Sequence, residues 1–192
     1  MTNVANQEPL TTPLTIMGGG TVWFTGLPSA GKSTLSRAVA DRLSTGRVEL
    51  LDGDEVRQNL SAGLGFSRAD REANIERIGF VADLLARNGV LVFAAVISPY
   101  LDARARVRER HERSDTPFIE VHVATSVEEC ASRDVKGLYA KQRSGELTGL
   151  TGVDDVYEAP PEPDLRLDTS GNTVDDSADA VVALLWERGM LR

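Results

Sequence analysis

The segment 26–34 carries the clearest chemistry in this 192-residue sequence. Its letters, GLPSAGKST, fit the pattern G-x-x-x-x-G-K-[ST], in which a glycine-rich loop surrounds phosphate groups with backbone N–H donors. Lys32 is one of only three lysines among the 21 basic residues, and it occupies the position that contacts the β- and γ-phosphates of a nucleotide. The sequence therefore predicts a phosphate-binding loop (P-loop), with the Ser33 hydroxyl as a ligand of Mg²⁺.

A second group of polar residues follows the next predicted strand. Asp52 and Asp54 lie in the segment DGDEVR, and Arg57 follows three residues after Asp54. Ligands of open α/β sheets bind at the carboxyl ends of the strands, where these two carboxylates could serve a metal ion and a substrate hydroxyl. The alternative is a solvated turn in which Asp54 caps the next helix.

A third group lies at the start of a predicted helix. Phe66 precedes this helix, and Arg71 and Asn74 are three residues apart, so the last two share one helix face. An aromatic ring, a guanidinium group and an amide can together stack on a base and bind an anion. A buried phenylalanine beside a charged helix surface is the alternative.

Two further motifs lie near expected strand ends. The letters ISPY, which contain Ile97 and Ser98, close a continuously apolar run. Lys136 lies in RDVKGLY, immediately before a segment rich in glycine and proline, 137–163, whose hydrophobic periodicity is weak. A segment of this length without its own periodicity is typical of a functional lid, and we interpret it so.

The elements that must position these residues alternate along the chain. Strands are predicted at 21–25, 47–51, 90–97, 118–123 and 165–167, and helices at 33–43, from about 54, at 67–88, 101–114, 126–133 and 175–188. The uniformly apolar run 90–97 is typical of a strand buried on both faces. The alternation predicts an α/β fold with a parallel sheet.

Composition limits the class of protein. With 41% hydrophobic and 26% charged residues, we expect one globular domain, 18–192, after a polar, mobile arm, 1–17. One cysteine excludes an internal disulfide, and neither a membrane-spanning run nor a signal-peptide pattern is found, so we expect a cytoplasmic protein without membrane partners. The net charge of −8 argues against a general nucleic-acid coat.

The remaining notable residues have structural explanations. The arginines between 104 and 113 are interrupted by acids and spread around the helix axis, so we interpret that helix as solvated. The isolated His111 and His122 lack metal-ligand spacing, and Cys130 fits a small buried hydrophobic position.

Taken in order, the motifs GLPSAGKST, DGDEVR, GFSRADREANIERIG, ISPY, and DVKGLY followed by LTGVDDVYEAP resemble those of the adenylylsulfate (APS) kinase family. The resemblance extends from about residue 20 to the end. It implies a three-layer P-loop kinase fold with a central, mostly parallel five-stranded sheet and a lid at about 137–163. It also implies transfer of the γ-phosphate of MgATP to the 3′-hydroxyl of adenosine 5′-phosphosulfate, giving 3′-phosphoadenosine 5′-phosphosulfate and ADP in sulfate activation. A homodimer is implied, and any ATP sulfurylase partner would be a separate chain.

The resemblance assigns roles to individual residues. Lys32 acts on the transferring phosphate, Asp54 positions or deprotonates the 3′-hydroxyl, and Ser33 and Asp52 support the metal. The ATP-binding set is Gly26, Leu27, Pro28, Ser29, Ala30, Gly31, Lys32, Ser33, Thr34 and Asn172. The APS-binding set is Asp54, Arg57, Phe66, Arg71, Asn74, Ile97, Ser98, Lys136, Gly149 and Leu150.

Two positions raise questions of mechanism and affinity. Bacterial members of the family are commonly described with a phosphoserine intermediate at the position of Ser98. Direct in-line transfer needs only positioning and charge neutralisation, so we favour it and retain Ser98 as an APS-site residue. Leu150 stands where the family usually has a phenylalanine that encloses the APS adenine with Phe66. The loss of ring stacking predicts weaker APS binding or altered substrate inhibition.

Two other functions remain open at this point. The first is a P-loop kinase for another small molecule, such as a sugar or an acid. The second is a nucleotide-operated switch without a small acceptor. The P-loop alone is compatible with all three functions, whereas the four later motifs favour the APS kinase.

Overall fold

The computed structural model describes residues 14–192 of the chain. In order, its elements are β1 (Leu14–Thr15), β2 (Gly20–Thr25), α1 (Lys32–Ala40), β3 (Leu43–Thr45), β4 (Val48–Asp52), α2 (Gly53–Asn59), α3 (Arg68–Arg87), β5 (Leu91–Ala95), α4 (Leu101–Arg113), β6 (Phe118–Val123), α5 (Val127–Arg133), α6 (Leu138–Arg143), β7 (Leu165–Leu167) and α7 (Val174–Glu187).

The main sheet has five strands in the order β4-β5-β2-β6-β7, and every pairing in it is parallel. β2 is central and fully buried, as its β-branched and aromatic residues require. In a parallel sheet all carboxyl ends meet at one edge, so the segments after β2, β4 and β5 lie side by side there. The α/β class and the five-stranded parallel sheet are confirmed.

Two apolar layers cover the sheet, because successive side chains of a strand point to opposite faces. Phe24 of β2 belongs to a core with Leu35 of α1 and Leu185 of α7. Its neighbour Trp23 belongs to a second core with Ile78 of α3 and Val107 of α4. The P-loop therefore extends from a strand that is packed on both sides.

Serine hydroxyls cap the starts of two helices. The hydroxyl of Ser67 accepts a hydrogen bond from the Asp70 N–H and begins α3, and Ser126 does the same for α5 through Glu129. Each helix begins at the residue that follows its capping serine. A hydroxyl cap thus sets the start of α3, which carries two of the candidate APS ligands, Arg71 and Asn74.

The amino-terminal prediction needs correction. Residues 1–13 of the expected mobile arm lie outside the described residues. The remaining part is held by the body of the domain, because β1 pairs with β3 and the Thr15 N–H donates to the Arg192 carbonyl at 2.9 Å. The helix predicted at 33–43 accordingly ends at Ala40, which frees the chain to form β3.

Three other expectations change. The strand predicted at 90–97 covers only Leu91–Ala95, because the following residues leave the sheet at the ligand-binding edge. The proposed lid segment contains the helix α6. The arginine-rich helix α4 is not fully solvated, since Arg104 is 2% exposed and is paired with Glu120 of β6. Within residues 14–192 no helix is both long and apolar enough to cross a membrane.

Candidate active site

A cavity of about 560 Å³ lies at the carboxyl edge of the central strands. This volume is typical of a small-ligand site. The cavity brings together most of the predicted site residues: Pro28, Ser29, Gly31, Lys32, Ser33, Thr34, Asp52, Asp54, Arg57, Phe66, Arg71, Asn74, Ile97, Ser98, Lys136 and Asn172.

The P-loop forms one wall of this cavity. Gly31 adopts a left-handed φ of +100° and caps α1 without a side chain, so the helix N-terminus faces the cavity. Gly26 has a φ of +155°, and a Cβ there would lie 2.4 Å from the Val123 carbonyl oxygen. Gly26, Leu27 and Ala30 support the loop from beneath and do not line the cavity.

Lys32 is buried and points back along its own loop. Its Nζ donates hydrogen bonds to the carbonyl oxygens of Gly26 at 2.9 Å and Leu27 at 2.6 Å. Burial lowers the pKa of Lys32 from 10.5 to about 7, because the ammonium form loses its hydration. An anion bound beside Lys32 would favour its charged form.

The predicted metal ligands lie on the same wall. Asp52 ends β4 and caps α2, accepting a hydrogen bond from the Asp54 N–H at 3.0 Å through Oδ1. Asp52 and Ser33 both line the cavity. Among residues 14–192 no cluster of three or more acids, histidines or cysteines could hold a metal alone. One carboxylate and one hydroxyl beside a phosphate site nevertheless fit Mg²⁺, which takes further oxygen ligands from phosphates and water.

Asp54 and Lys136 form an ion pair across the cavity, although they are 82 positions apart. Asp54 belongs to the first turn of α2, and Lys136 lies just before α6. Both side chains are more than half exposed. The pairing places the predicted base beside the lysine of the proposed lid.

The opposite wall holds the aromatic and amide candidates. Phe66 is 64% exposed, and the Arg57 guanidinium lies over its ring at 4.3 Å from the centroid. This geometry is a cation–π contact. Asn74 lines the cavity, and its buried Oδ1 has no hydrogen-bond partner among residues 14–192. An unpaired buried acceptor of this kind indicates a place for a donor from a ligand.

Arg71 also lines the cavity, but its donors bind the chain itself. Its Nε donates to the Phe66 carbonyl at 2.8 Å, and its two terminal nitrogens donate to the Thr151 hydroxyl and the Gly149 carbonyl, each at 2.7 Å. Arg71 therefore anchors the 149–155 segment to the cavity wall.

Ser98 is buried and has a left-handed φ of +42°, which is unusual for a residue with a side chain. Its Oγ donates to the Thr25 hydroxyl at 2.9 Å and accepts from Trp23 Nε1 at 3.0 Å. Neither partner is a carboxylate or an imidazole, so in the described part of the chain no general base contacts this hydroxyl. Ile97 lies beside Ser98 on the wall, and its carbonyl accepts from Thr25 at 2.8 Å.

The structure does not bring Gly149 and Leu150 to the cavity. Leu150 is 4% exposed and belongs to the apolar core around α1 and α7, because its aliphatic side chain finds that core when the segment folds inward. The Gly149 carbonyl accepts a hydrogen bond from Arg71. In this position of the segment, the Leu150 side chain lies outside the cavity lining.

At the far end of the cavity, Asn172 lies beside residues that the sequence interpretation left without a role. The Asn172 amide donates to the Asp168 carbonyl at 2.7 Å. Arg133 donates to the Thr169 hydroxyl at 2.8 Å and to its carbonyl at 2.9 Å, and both residues line the cavity. Arg133 is the first residue of the RDVKGLY motif, so this motif could have indicated that Arg133 lies at the site.

Together these features define a class of protein. A central parallel strand runs through GxxxxGKS into a helix, and a cavity beyond it joins the phosphate loop to carboxylates and to an aromatic-lined wall. This combination defines a P-loop phosphotransferase with a separate acceptor subsite.

Comparison with known proteins narrows the class. The family model described as adenylylsulphate kinase matches residues 18–168. The adenylyl-sulfate kinase of Picosynechococcus sp. is 50% identical over 175 residues, which cover 90% of this chain and 97% of that protein. The adenylyl-sulfate kinase of Myxococcus xanthus is 51% identical over 174 residues, covering 90% and 94%.

A solved structure agrees with these relatives. The Mycobacterium tuberculosis APS kinase CysC in complex with AMPPNP and APS superposes with a TM-score of 0.84 at 44% identity, covering 88% of this chain and 98% of that one. The chain belongs to the adenylylsulphate kinase family.

Proposed function

We propose that this chain transfers the γ-phosphate of MgATP to the 3′-hydroxyl of adenosine 5′-phosphosulfate, releasing ADP and 3′-phosphoadenosine 5′-phosphosulfate. The observation that carries the proposal is that the P-loop and the APS candidates Phe66 and Asn74 open into the same cavity. Transfer of a phosphoryl group depends on holding donor and acceptor in line, which a shared cavity allows.

The donor phosphates bind at the P-loop, where its backbone N–H groups and the N-terminus of α1 supply positive potential. Lys32 turns from the carbonyls of Gly26 and Leu27 toward the β- and γ-phosphates. The anionic oxygens then keep Lys32 charged, so that it neutralises the transferring group. Asn172 and its neighbours contact the nucleobase end.

Ser33 and Asp52 would hold Mg²⁺ together with the donor phosphates. When bound, this ion would offset the negative charge that develops during transfer. Asp52 keeps its position because it also caps α2.

Asp54 orients the 3′-hydroxyl and accepts its proton as the oxygen attacks the γ-phosphorus. Phe66 stacks on the APS adenine, and Arg57, Arg71 and Asn74 hold its ribose and phosphosulfate. Lys136 pairs with Asp54 in this structure. When APS binds, Lys136 moves to its negatively charged groups.

Direct transfer is the route that the site supports better. The Ser98 hydroxyl is engaged on both sides by Thr25 and Trp23 and has no base in contact, so it is poorly arranged to act as a nucleophile. We assign Ser98 and Ile97 to the acceptor wall. The predicted contacts of Gly149 and Leu150 with adenine require the 149–155 segment to move.

We further propose that the chain forms a homodimer. One solved relative is described as a hexameric APS kinase from Thiobacillus denitrificans, which has a TM-score of 0.69 and 36% identity. The superposition covers 91% of this chain and 30% of that chain. Size-exclusion chromatography with light scattering decides between monomer, dimer and larger assemblies.

A coupled assay of ADP release tests the reaction. We expect MgATP turnover to depend on APS and not on sugars, shikimate-like acids or adenosine 5′-monophosphate. Asp54→Asn should lower kcat by about 10²- to 10⁴-fold while leaving ATP affinity nearly unchanged. Equal ADP release with and without APS would favour a nucleotide switch, and stimulation by another acceptor would favour a different small-molecule kinase.

A further inference from the structure

Arg104 of α4 is an almost fully buried arginine at the junction of three segments. Its Nε donates to the Glu120 carboxylate at 2.7 Å. One terminal nitrogen donates to the Ser98 carbonyl and the other to the Glu158 carbonyl, each at 2.6 Å. Every nitrogen of the guanidinium thus binds a different part of the chain.

The first of these segments is the cavity wall after β5. Ser98 holds a left-handed backbone conformation, which is strained for a residue with a side chain and persists only where the surroundings enforce it. The Ser98 side chain is fixed by Trp23 and Thr25. Its carbonyl accepts a hydrogen bond from Arg104 at 2.6 Å and a longer one from the Thr25 hydroxyl at 3.4 Å. Arg104 therefore holds the main chain of the wall from outside the cavity.

The second segment is the end of the proposed lid. The Glu158 N–H donates to the Pro99 carbonyl at 2.8 Å, and the Glu158 carboxylate accepts from the Leu101 N–H at 2.7 Å. Next to it, the Tyr157 hydroxyl lies 3.0 Å from the Thr25 hydroxyl. The end of the lid and the cavity wall are thus connected directly, and the Arg104 guanidinium bridges their carbonyls.

We propose that Arg104 is a positioning residue for the acceptor, which holds the Ser98 main chain and the end of the lid in the arrangement that binds APS. This inference rests on the function proposed above. Arg104 does not line the cavity, so it acts through Ser98 and Glu158 and not by touching substrate.

Lysine cannot replace arginine in this role. The planar guanidinium presents its donors in a rigid fork, and each of its three edges here has an acceptor in a different direction. A lysine keeps the positive charge opposite Glu120 but has a single flexible donor group. Arg104→Lys therefore separates the positioning of the two carbonyls from the neutralisation of the buried carboxylate.

Arg106 provides a matched control on the same helix. Its guanidinium pairs with Glu76 at 2.6 Å, Asp102 at 3.2 Å and Glu72 at 3.3 Å, and it contacts no carbonyl of the cavity wall. Arg106→Lys makes the same chemical change in a network that binds two helices together, away from the site.

The test compares KM for APS, KM for MgATP and kcat in both variants. We expect Arg104→Lys to raise KM for APS by about 10- to 100-fold while changing KM for MgATP less than about threefold, because small displacements of positioning groups have effects of this size. Arg106→Lys should change neither value. Equal rises of the two KM values in Arg104→Lys, or no change, would overturn the inference.

Trp23 supplies a second readout that does not depend on turnover. Its buried indole N–H binds Ser98, whereas Trp186 is 52% exposed. In a Trp186→Phe background, Arg104→Lys should change Trp23 emission and Arg106→Lys should not. An unchanged emission with Arg104→Lys would contradict the proposed link to Ser98.

If Arg104→Lys does not fold, Glu120→Gln is the second variant. It keeps an oxygen acceptor for Arg104 Nε but holds the guanidinium less firmly, because the carboxylate charge is lost. This variant should raise KM for APS about 3- to 10-fold, again without a matching change for MgATP. A wild-type protein without APS-dependent ADP release would refute the proposed function, and the emission of Trp23 would still decide the link between Arg104 and Ser98.

Discussion

Arg71 and Asp155 form an ion pair in which a guanidinium nitrogen lies 3.2 Å from the Asp155 carboxylate. Arg71 is also bonded to Gly149 and Thr151, so one residue of the cavity wall holds both ends of the 149–155 turn. If Arg71 binds APS as proposed, the substrate competes with these contacts. Acceptor binding and movement of the turn are then linked events.

Weakening this pair should loosen the lid segment. We expect Asp155→Ala to increase the rate of trypsin cleavage after the exposed Lys141 or Arg143 by about threefold or more, since local opening becomes more frequent. Mass spectrometry of the fragments measures the rate. Glu146→Ala is the control, because Glu146 is exposed and accepts a hydrogen bond from Ser144 at 3.0 Å. Equal cleavage in both variants and the wild type would contradict the anchoring role.

Nucleotide binding should take up a proton through Lys32. With a pKa of about 7, most of the Lys32 amine is neutral at pH 8 in the free protein, and bound phosphates restore its charge. We expect uptake of about 0.5–1 proton per nucleotide at pH 8, measured calorimetrically in buffers of different ionisation enthalpy. Lys32→Arg keeps its charge throughout and should show none of this uptake.

The same pKa shift affects stability. Because the pKa of Lys32 is lower in the folded chain than the 10.5 of the unfolded chain, the unfolded chain binds more protons between pH 7 and 10.5. The contribution of this group to the free energy of unfolding therefore rises with pH across that window. Denaturant unfolding at pH 7.5 and 9 should show a larger gain for the wild type than for Lys32→Met.

Phe66 should contribute to APS binding without contributing to the core. We expect Phe66→Leu to weaken APS binding by about 0.5–1.5 kcal/mol through loss of ring stacking, with no change in Tm, because the ring is exposed. Calorimetric titration measures the affinity. Phe80, which is 48% exposed on the helix α3 that follows Phe66, gives the control Phe80→Leu. A similar loss of affinity in both variants would argue against stacking at Phe66.

Leu150→Phe tests where this side chain lies. Since Leu150 is packed in the core, a larger ring there should lower the free energy of unfolding by about 1–3 kcal/mol, whereas Leu150→Met conserves volume and should cost less. Chemical denaturation compares the two variants. Unchanged stability together with tighter APS binding in Leu150→Phe would instead place this side chain at the adenine.

The elements that the sequence predicted well have local causes. A few neighbouring residues determine the conformation of the uniformly apolar strands, of hydroxyl caps such as Ser67 and of the P-loop glycines. The strand β3 was missed because its three residues pair with β1, which lies 29 positions earlier at Leu14. A strand of three residues is too short to show a hydrophobic periodicity, and its partner is too distant in the sequence to be found by local patterns.

The sequence predicted which residues belong to the candidate site better than it predicted the contacts between them. Motifs indicated which residues would line the cavity, but not that Lys136 pairs with Asp54 or that Arg71 holds the lid. The burial of Arg104 was missed for a related reason. Its acid, Glu120, lies in a strand whose pattern looks apolar, and only the packed structure brings the two charges together.

The position of β2 has a consequence for how the chain is made. β2 is synthesised early but lies at the centre of the sheet, and its partners β5 and β6 end at Ala95 and Val123. The P-loop strand therefore emerges from the ribosome long before either neighbour exists, and parallel pairing of this range makes folding slow. Until about residue 123 has been released, the nascent chain carries the phosphate loop without the sheet that shapes it.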